Sequence, residues 1–118
     1  MYYSEPQMEL LKVVRILGCL ERRQARALLR LRYGVALEAA DNIIRQLKCD
    51  GKIKTVENTG LILSPDGKED SCILRAIDIA LCFAEPGNGP EILPCKPDYL
   101  LYAYYPDNPA RLWILHVP

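Results

Sequence analysis

The chain has 118 residues, half of them hydrophobic, and its 15 basic side chains are balanced by 15 acidic ones. That length allows one domain or two very small ones and supports a single core. The apolar half and the zero net charge exclude a disordered chain. No apolar run reaches the ~18 residues of a membrane span, since the longest, Cys72 to Ala84, is broken by Arg75 and Asp78. The opening MYYSEPQMEL has no basic segment leading into an apolar one, so no export signal is read and a soluble cytoplasmic protein is expected.

Ser4-Glu5-Pro6-Gln7 is a helix start, with serine as cap, glutamine three positions on and proline in the first turn. Met8, Leu11, Val14 and Leu17 then form the expected inward row, and Gly18 stops it. A second helix is expected from Glu21 to Leu31, with Ala25, Leu28 and Leu29 inward and Gly34 ending the turn that follows. Its outer face carries Arg22, Arg26 and Arg30 in an i, i+4, i+8 row with Arg23 beside it, and Arg32 lies in the turn. A third helix, about Ala36 to Asp50, is expected to bury Leu37, Ala40, Ile44 and Leu47 before Gly51 ends it.

Two β-prone runs, Lys52 to Val56 and Leu61 to Leu63, flank Glu57-Asn58-Thr59-Gly60 and predict a hairpin. Three helices followed by a hairpin is the order of a winged helix-turn-helix, with the third helix as reader and the hairpin as wing. Ser64-Pro65-Asp66-Gly67 marks the internal boundary. Beyond it, a helix over residues 69–84 is apolar nearly all round and must be covered on more than one side. One stripe is Ile73, Ile77, Ala80 and Ala84, while Leu74, Leu81 and Phe83 point elsewhere. A loop over 85–90, a short strand from Glu91 to Pro94, and a hairpin complete the chain. The strands of that hairpin are Tyr99 to Tyr105 and Arg111 to Val117, joined through Pro106-Asp107-Asn108-Pro109.

The expected fold class is therefore α+β. A winged helix-turn-helix occupies residues 1–64, and residues 65–118 add a mostly apolar helix and a C-terminal antiparallel β-hairpin packed on it.

Cys19, Cys49, Cys72, Cys82 and Cys95 are odd in number, make no C-x-x-C pair and lie far from the one histidine, His116. They are read as free buried thiols, with no metal site or cofactor. His116 falls in an alternating strand pattern and is read as a strand surface residue, not a general base. No catalytic residues are assigned and no small-molecule ligand is expected.

The zero net charge conceals an asymmetry. Residues 1–60 carry four Lys and seven Arg against seven acids, a net +4, and residues 61–118 carry the compensating −4. A basic half suggests a polyanionic partner, double-stranded DNA. On the third helix the exposed set is Glu38, Asp41, Asn42, Arg45, Gln46 and Lys48, of which Asn42, Arg45 and Gln46 suit base edges or phosphates. Glu38 and Asp41 count against groove entry, although acids also suit a helix N-terminus. The expected interface is Arg22, Arg23, Arg26, Arg30, Arg32, Asn42, Arg45, Gln46, Lys52, Lys54 and Asn58. The competing reading is a non-catalytic protein-interaction module on the same scaffold. A twofold dimer through the helix at 69–84 would cover its second apolar stripe.

Ile16-Leu17-Gly18-Cys19-Leu20, Gln24 to Leu28, Leu47 to Ile53, the helix after the wing and the closing Pro97-Asp98 hairpin carry a resemblance. The layout resembles a short member of the replication-relaxation type of winged-helix proteins, found on plasmids and conjugative elements of Gram-positive bacteria. The resemblance implies a DNA-binding regulator or accessory factor of mobile-element replication or transcription. Longer relatives carry a nuclease-like C-terminal fold, whose chemistry needs two carboxylates and a lysine around a metal. Here Pro97-Asp98 matches the first element, but Trp113 to Val117 offers neither carboxylate nor lysine, so no nuclease activity is expected.

Overall fold

A computed structural model describes residues 2–94, 99–106 and 110–115. The chain is α+β, with four helices and two small antiparallel sheets among the described residues. The expected start at Ser4 forms: its hydroxyl accepts from the Gln7 amide at 3.4 Å, and the Gln7 side chain accepts from the Ser4 amide at 2.7 Å. Helix α1 (Glu5–Leu17) runs to Gly18, whose φ of 82° lets its N–H reach the Val14 carbonyl. The inward row differs from expectation, because Met8 is 59% exposed. An i+3 row drifts around a helix of 3.6 residues per turn, so Met8 and Leu17 lie about 180° apart. The buried arc is instead centred on Leu10, Val13, Val14 and Leu17.

Between α1 and the second helix lies a strand that the pattern does not predict, β1 (Cys19–Glu21). Helix α2 (Arg22–Tyr33) continues past Leu31, and Gly34, with a φ of 66°, caps it directly instead of closing a later turn. Helix α3 (Leu37–Cys49) buries Ala40, Ile44 and Leu47 as expected. Leu37, however, is 59% exposed: it is the first helical residue, and its side chain leans back past the helix start, beyond the packing. The expected hairpin is β2 (Lys54–Val56) with β3 (Leu61–Leu63), and Gly60 at the turn has a φ of 70°. Strand β1 pairs with the other edge of β3, Leu20 opposite Ile62, giving the order β1-β3-β2.

Helix α4 (Ser71–Cys82) is shorter at both ends than expected; at its start the Asp70 carboxylate caps it by accepting from the Cys72 and Ile73 amides. Strands β4 (Glu91–Leu93), β5 (Tyr99–Tyr105) and β6 (Ala110–Leu115) form the second sheet in that order. In it Trp113 stacks on Tyr102 with ring centroids 4.0 Å apart. The expected hairpin thus gains β4 as a third strand, on the far side of β5. Cys95, Pro97, Asp98, the Asp107-Asn108-Pro109 part of the turn, His116 and Val117 lie outside the described residues.

One hydrophobic cluster spans both parts of the chain. Leu20, Leu28, Leu29 and Ile62 share it with Ala76, Ile77, Ile92 and Leu101, and burying each large aliphatic contributes about 1.5–3 kcal/mol. Helix α4 lies against α2, β1 and β5, and the Tyr105 hydroxyl donates to the Ala80 carbonyl at 2.5 Å. Its remaining face shows Cys72, Arg75, Ile79, Cys82 and Phe83 to solvent. The cysteine expectation holds in one part: all four described thiols are free, but only Cys19 is buried. No helix is long and apolar enough to cross a membrane among the described residues.

Candidate nucleic-acid interface

The exposed face of α3 holds Glu38, Asn42, Arg45, Gln46 and Lys48, with Asp41 half-buried at its edge. Beside it stands the β2–β3 hairpin, pinned to the start of α2 by a 2.7 Å hydrogen bond from the Arg22 amide to the Gly60 carbonyl. Between the helix and the hairpin opens a cleft of about 380 Å³, lined among others by Arg22, Lys48, Thr55, Glu57, Asn58 and Gly60. The hairpin tip is ordered by Thr59, whose hydroxyl donates to the Val56 carbonyl and accepts from the Leu61 amide. Asn58 there has a φ of 64°, a left-handed conformation that asparagine tolerates.

The α2 arginines do not form the free basic row that their spacing predicts. Arg26 grips Asp41 with two hydrogen bonds of 2.8 and 2.9 Å, and Arg22 stands 3.8 Å from the same carboxylate. The Arg26 guanidinium holds the Asp41 carboxyl below the usual carboxylate range. Arg23 makes a two-pronged contact with Asp78 on α4 and a third bond to Glu21, so the Asp78 carboxyl is likewise held low. Arg32 is turned to the opposite side, where its guanidinium donates to the buried Glu9 of α1. Spacing put Arg22, Arg23, Arg26 and Arg30 on one face, and Arg23, Arg26 and Arg30 do line one shallow cleft. Asp78, Asp41 and Glu9 reach Arg23, Arg26 and Arg32 from elsewhere in the chain, and half-buried arginine is retained where a carboxylate satisfies its fork.

Arg30 is exposed and lines two shallow clefts, one with Val35 and Leu37 and one with Pro86 and Gly87. On α3, Arg45 donates to the neighbouring Asn42 side chain. Gln46 turns toward Asp50 at 3.2 Å, and that carboxylate also accepts from the Tyr3 hydroxyl at 2.6 Å. Tyr3, with Gln46, holds Asp50 below the usual range and is itself pushed up. Arg45, Lys48, Lys52 and Lys54 make no ion pair among the described residues. The site residues therefore divide: Arg22, Arg26, Asn42, Arg45, Gln46, Lys52, Lys54 and Asn58 lie on or against α3 and the hairpin, Arg23 and Arg30 stay exposed on α2 with Arg23 tied to Asp78, and Arg32 alone is drawn into the fold. Lys48, exposed at the cleft, belongs with the first group. Its signal in the sequence is its place one turn beyond Arg45.

Among the described residues no three His, Cys, Asp or Glu side chains converge to hold a metal ion. No family model, no curated protein and no solved structure matches the chain.

Proposed function

We propose that this chain binds double-stranded DNA as a winged helix-turn-helix, with α2 and α3 as the helix-turn-helix and the β2–β3 hairpin as the wing. The observation that carries this reading is the α3–hairpin cleft, lined by Arg22 and Lys48, with Arg45 on α3 and Lys52 and Lys54 leading into the hairpin; of these five cations only Arg22 makes an ion pair among the described residues, at 3.8 Å. Free cations at one edge meet phosphates, and Asn42, Arg45 and Gln46 lie where a major groove would be read. Arg26 supports this surface indirectly, by neutralising Asp41. The resemblance noted in the sequence makes replication or transcription of a mobile element the process in which such a factor would act.

A second reading, a protein-interaction module on this scaffold, is favoured by one observation. Three of the five α2 arginines, Arg23, Arg26 and Arg32, are each hydrogen-bonded to a carboxylate. The readings part on charge reversal. The triple variant Arg45→Glu, Lys48→Glu, Lys54→Glu should keep its fold and lose at least about tenfold in duplex affinity at low salt. The control Lys68→Glu, Arg75→Glu, exposed elsewhere, should change it little. Equal retention by both variants would remove the cleft from the interface.

A further inference from the structure

The solvent face of α1 is self-complementary. Glu5, Met8, Lys12 and Arg15 succeed one another at spacings of three, four and three, so they form one seam along the helix. The opposite arc of α1 is spent on the core, through Leu10, Val13, Val14 and Leu17. Of the seam, Lys12 alone is ion-paired within the chain among the described residues. Met8 is 59% exposed, and neither Glu5 nor Arg15 has an ion-pair partner among the described residues. Alongside the seam runs an open groove of about 860 Å³, whose walls include Tyr2, Tyr3, Ile16, Tyr33, Leu93 and Pro94. Large apolar or aromatic side chains thus flank a helix that ends in an acid on one side and a base on the other.

We infer that this groove receives α1 of a second copy of the chain, running antiparallel about a twofold axis. The seam is symmetric about its middle. Antiparallel pairing sets Glu5 against the partner's Arg15 and Met8 against the partner's Lys12, and the twofold repeats both contacts. Parallel pairing would instead oppose Glu5 to the partner's Glu5 and Arg15 to the partner's Arg15, which charge repulsion disfavours. Lys12 is already held across the seam by Glu9 at 3.6 Å and Glu91 at 3.5 Å. Its aliphatic stem therefore lies ready to cover the partner's Met8 while the ammonium keeps its own carboxylates. The seam shares no residue with α3 or the hairpin, so its test is independent of DNA binding.

The experiment is analytical ultracentrifugation at micromolar concentrations, with circular dichroism to verify the fold of each variant. The wild-type chain should sediment at twice its 13.4 kDa mass. Glu5→Arg and Arg15→Glu should each weaken association about tenfold or more, because each converts two attractive pairs into two repulsive ones. The double variant, Glu5→Arg with Arg15→Glu, should restore it to near the wild-type value. Within one chain these residues are about 15 Å apart along the helix, so rescue reports a contact between copies. A 13.4 kDa species at every concentration overturns the inference. So does a dimer indifferent to both single changes but broken by Phe83→Asp, which would move the contact to α4. Failure of the double variant to recover, with both singles dissociated, overturns the Glu5–Arg15 register.

Discussion

Asp41 shows how one carboxylate sets the electrostatics of a surface. It draws in Arg26 and Arg22, so two of the basic groups nearest α3 are held close to the fold. Asp41→Asn removes that anchor and one negative charge from the face. Duplex affinity should rise severalfold, and the salt dependence should steepen by about one phosphate contact, as read by fluorescence anisotropy; an unchanged or weaker affinity would place Asp41 outside the binding surface. Asp78 gives the matching prediction for stability. Its carboxyl titrates lower in the folded chain than in the unfolded one, chiefly because Arg23 hydrogen-bonds it. The stabilisation is complete above the unfolded carboxylate pKa of about 3.9 and is lost as pH falls through the lowered folded value. Thermal melts of wild type and Asp78→Asn should therefore differ at pH 7 and converge in strong acid. The α2 row was legible in the sequence because it is a local spacing. Its partners were not, since Asp41 and Asp78 lie 15 and 55 residues from the arginines they bind.

At the scale of elements, local signals served where the cause is local. The Ser4–Gln7 box, the Gly18 cap and the Asn58–Gly60 turn were all readable, because each rests on a few adjacent residues. Strand β1 was not. Three residues carry no period of their own, and Cys19–Glu21 is extended because β3 offers it an edge. The hairpin depends on Gly60, whose φ of 70° a β-branched residue adopts only at a cost. Gly60→Val should leave α1 to α3 in place while speeding amide exchange over residues 52–63; unchanged protection there would show that the turn tolerates the strain. Gly67 is constrained by space instead. A Cβ built on it falls 2.1 Å from the Gly18 carbonyl oxygen, so Gly67→Ala should shift the crossing between the two parts of the chain and destabilise by about 1–3 kcal/mol in urea denaturation.

Across the whole molecule, a buried polar contact joins what the sequence divides at residue 64. Gln24 is fully buried, donates to the Leu74 carbonyl at 2.8 Å and to Asp78 at 2.9 Å, and accepts from the Glu21 amide. Gln24→Leu leaves the Glu21 amide without an acceptor and takes one donor each from the Leu74 carbonyl and Asp78, and should cost about 1–3 kcal/mol in one cooperative unfolding transition. Two separate transitions would show that the parts unfold independently. The apolar character of α4 foretold that several neighbours must cover it, and α2, β1 and β5 do so. Which neighbours they are depends on tertiary packing that no helical period records. The candidate interface was legible to the same extent: the residue types on α3 and the hairpin were in view, but the pairing of Arg23 with Asp78 and the burial of Arg32 against Glu9 were not.

The central claim, that cations on α3, at the hairpin and at the start of α2 meet DNA phosphates, is tested most directly by the salt dependence of binding. Affinity for a short duplex of arbitrary sequence is measured over a range of salt concentrations. With Arg22, Arg45, Lys48, Lys52 and Lys54 supplying the contacts, the logarithm of affinity should fall against the logarithm of salt with a slope of about −3 to −5. The slope should flatten by about 2 to 3 in the Arg45→Glu, Lys48→Glu, Lys54→Glu variant. A flat dependence in the wild type, or no duplex binding at low salt, would contradict the account.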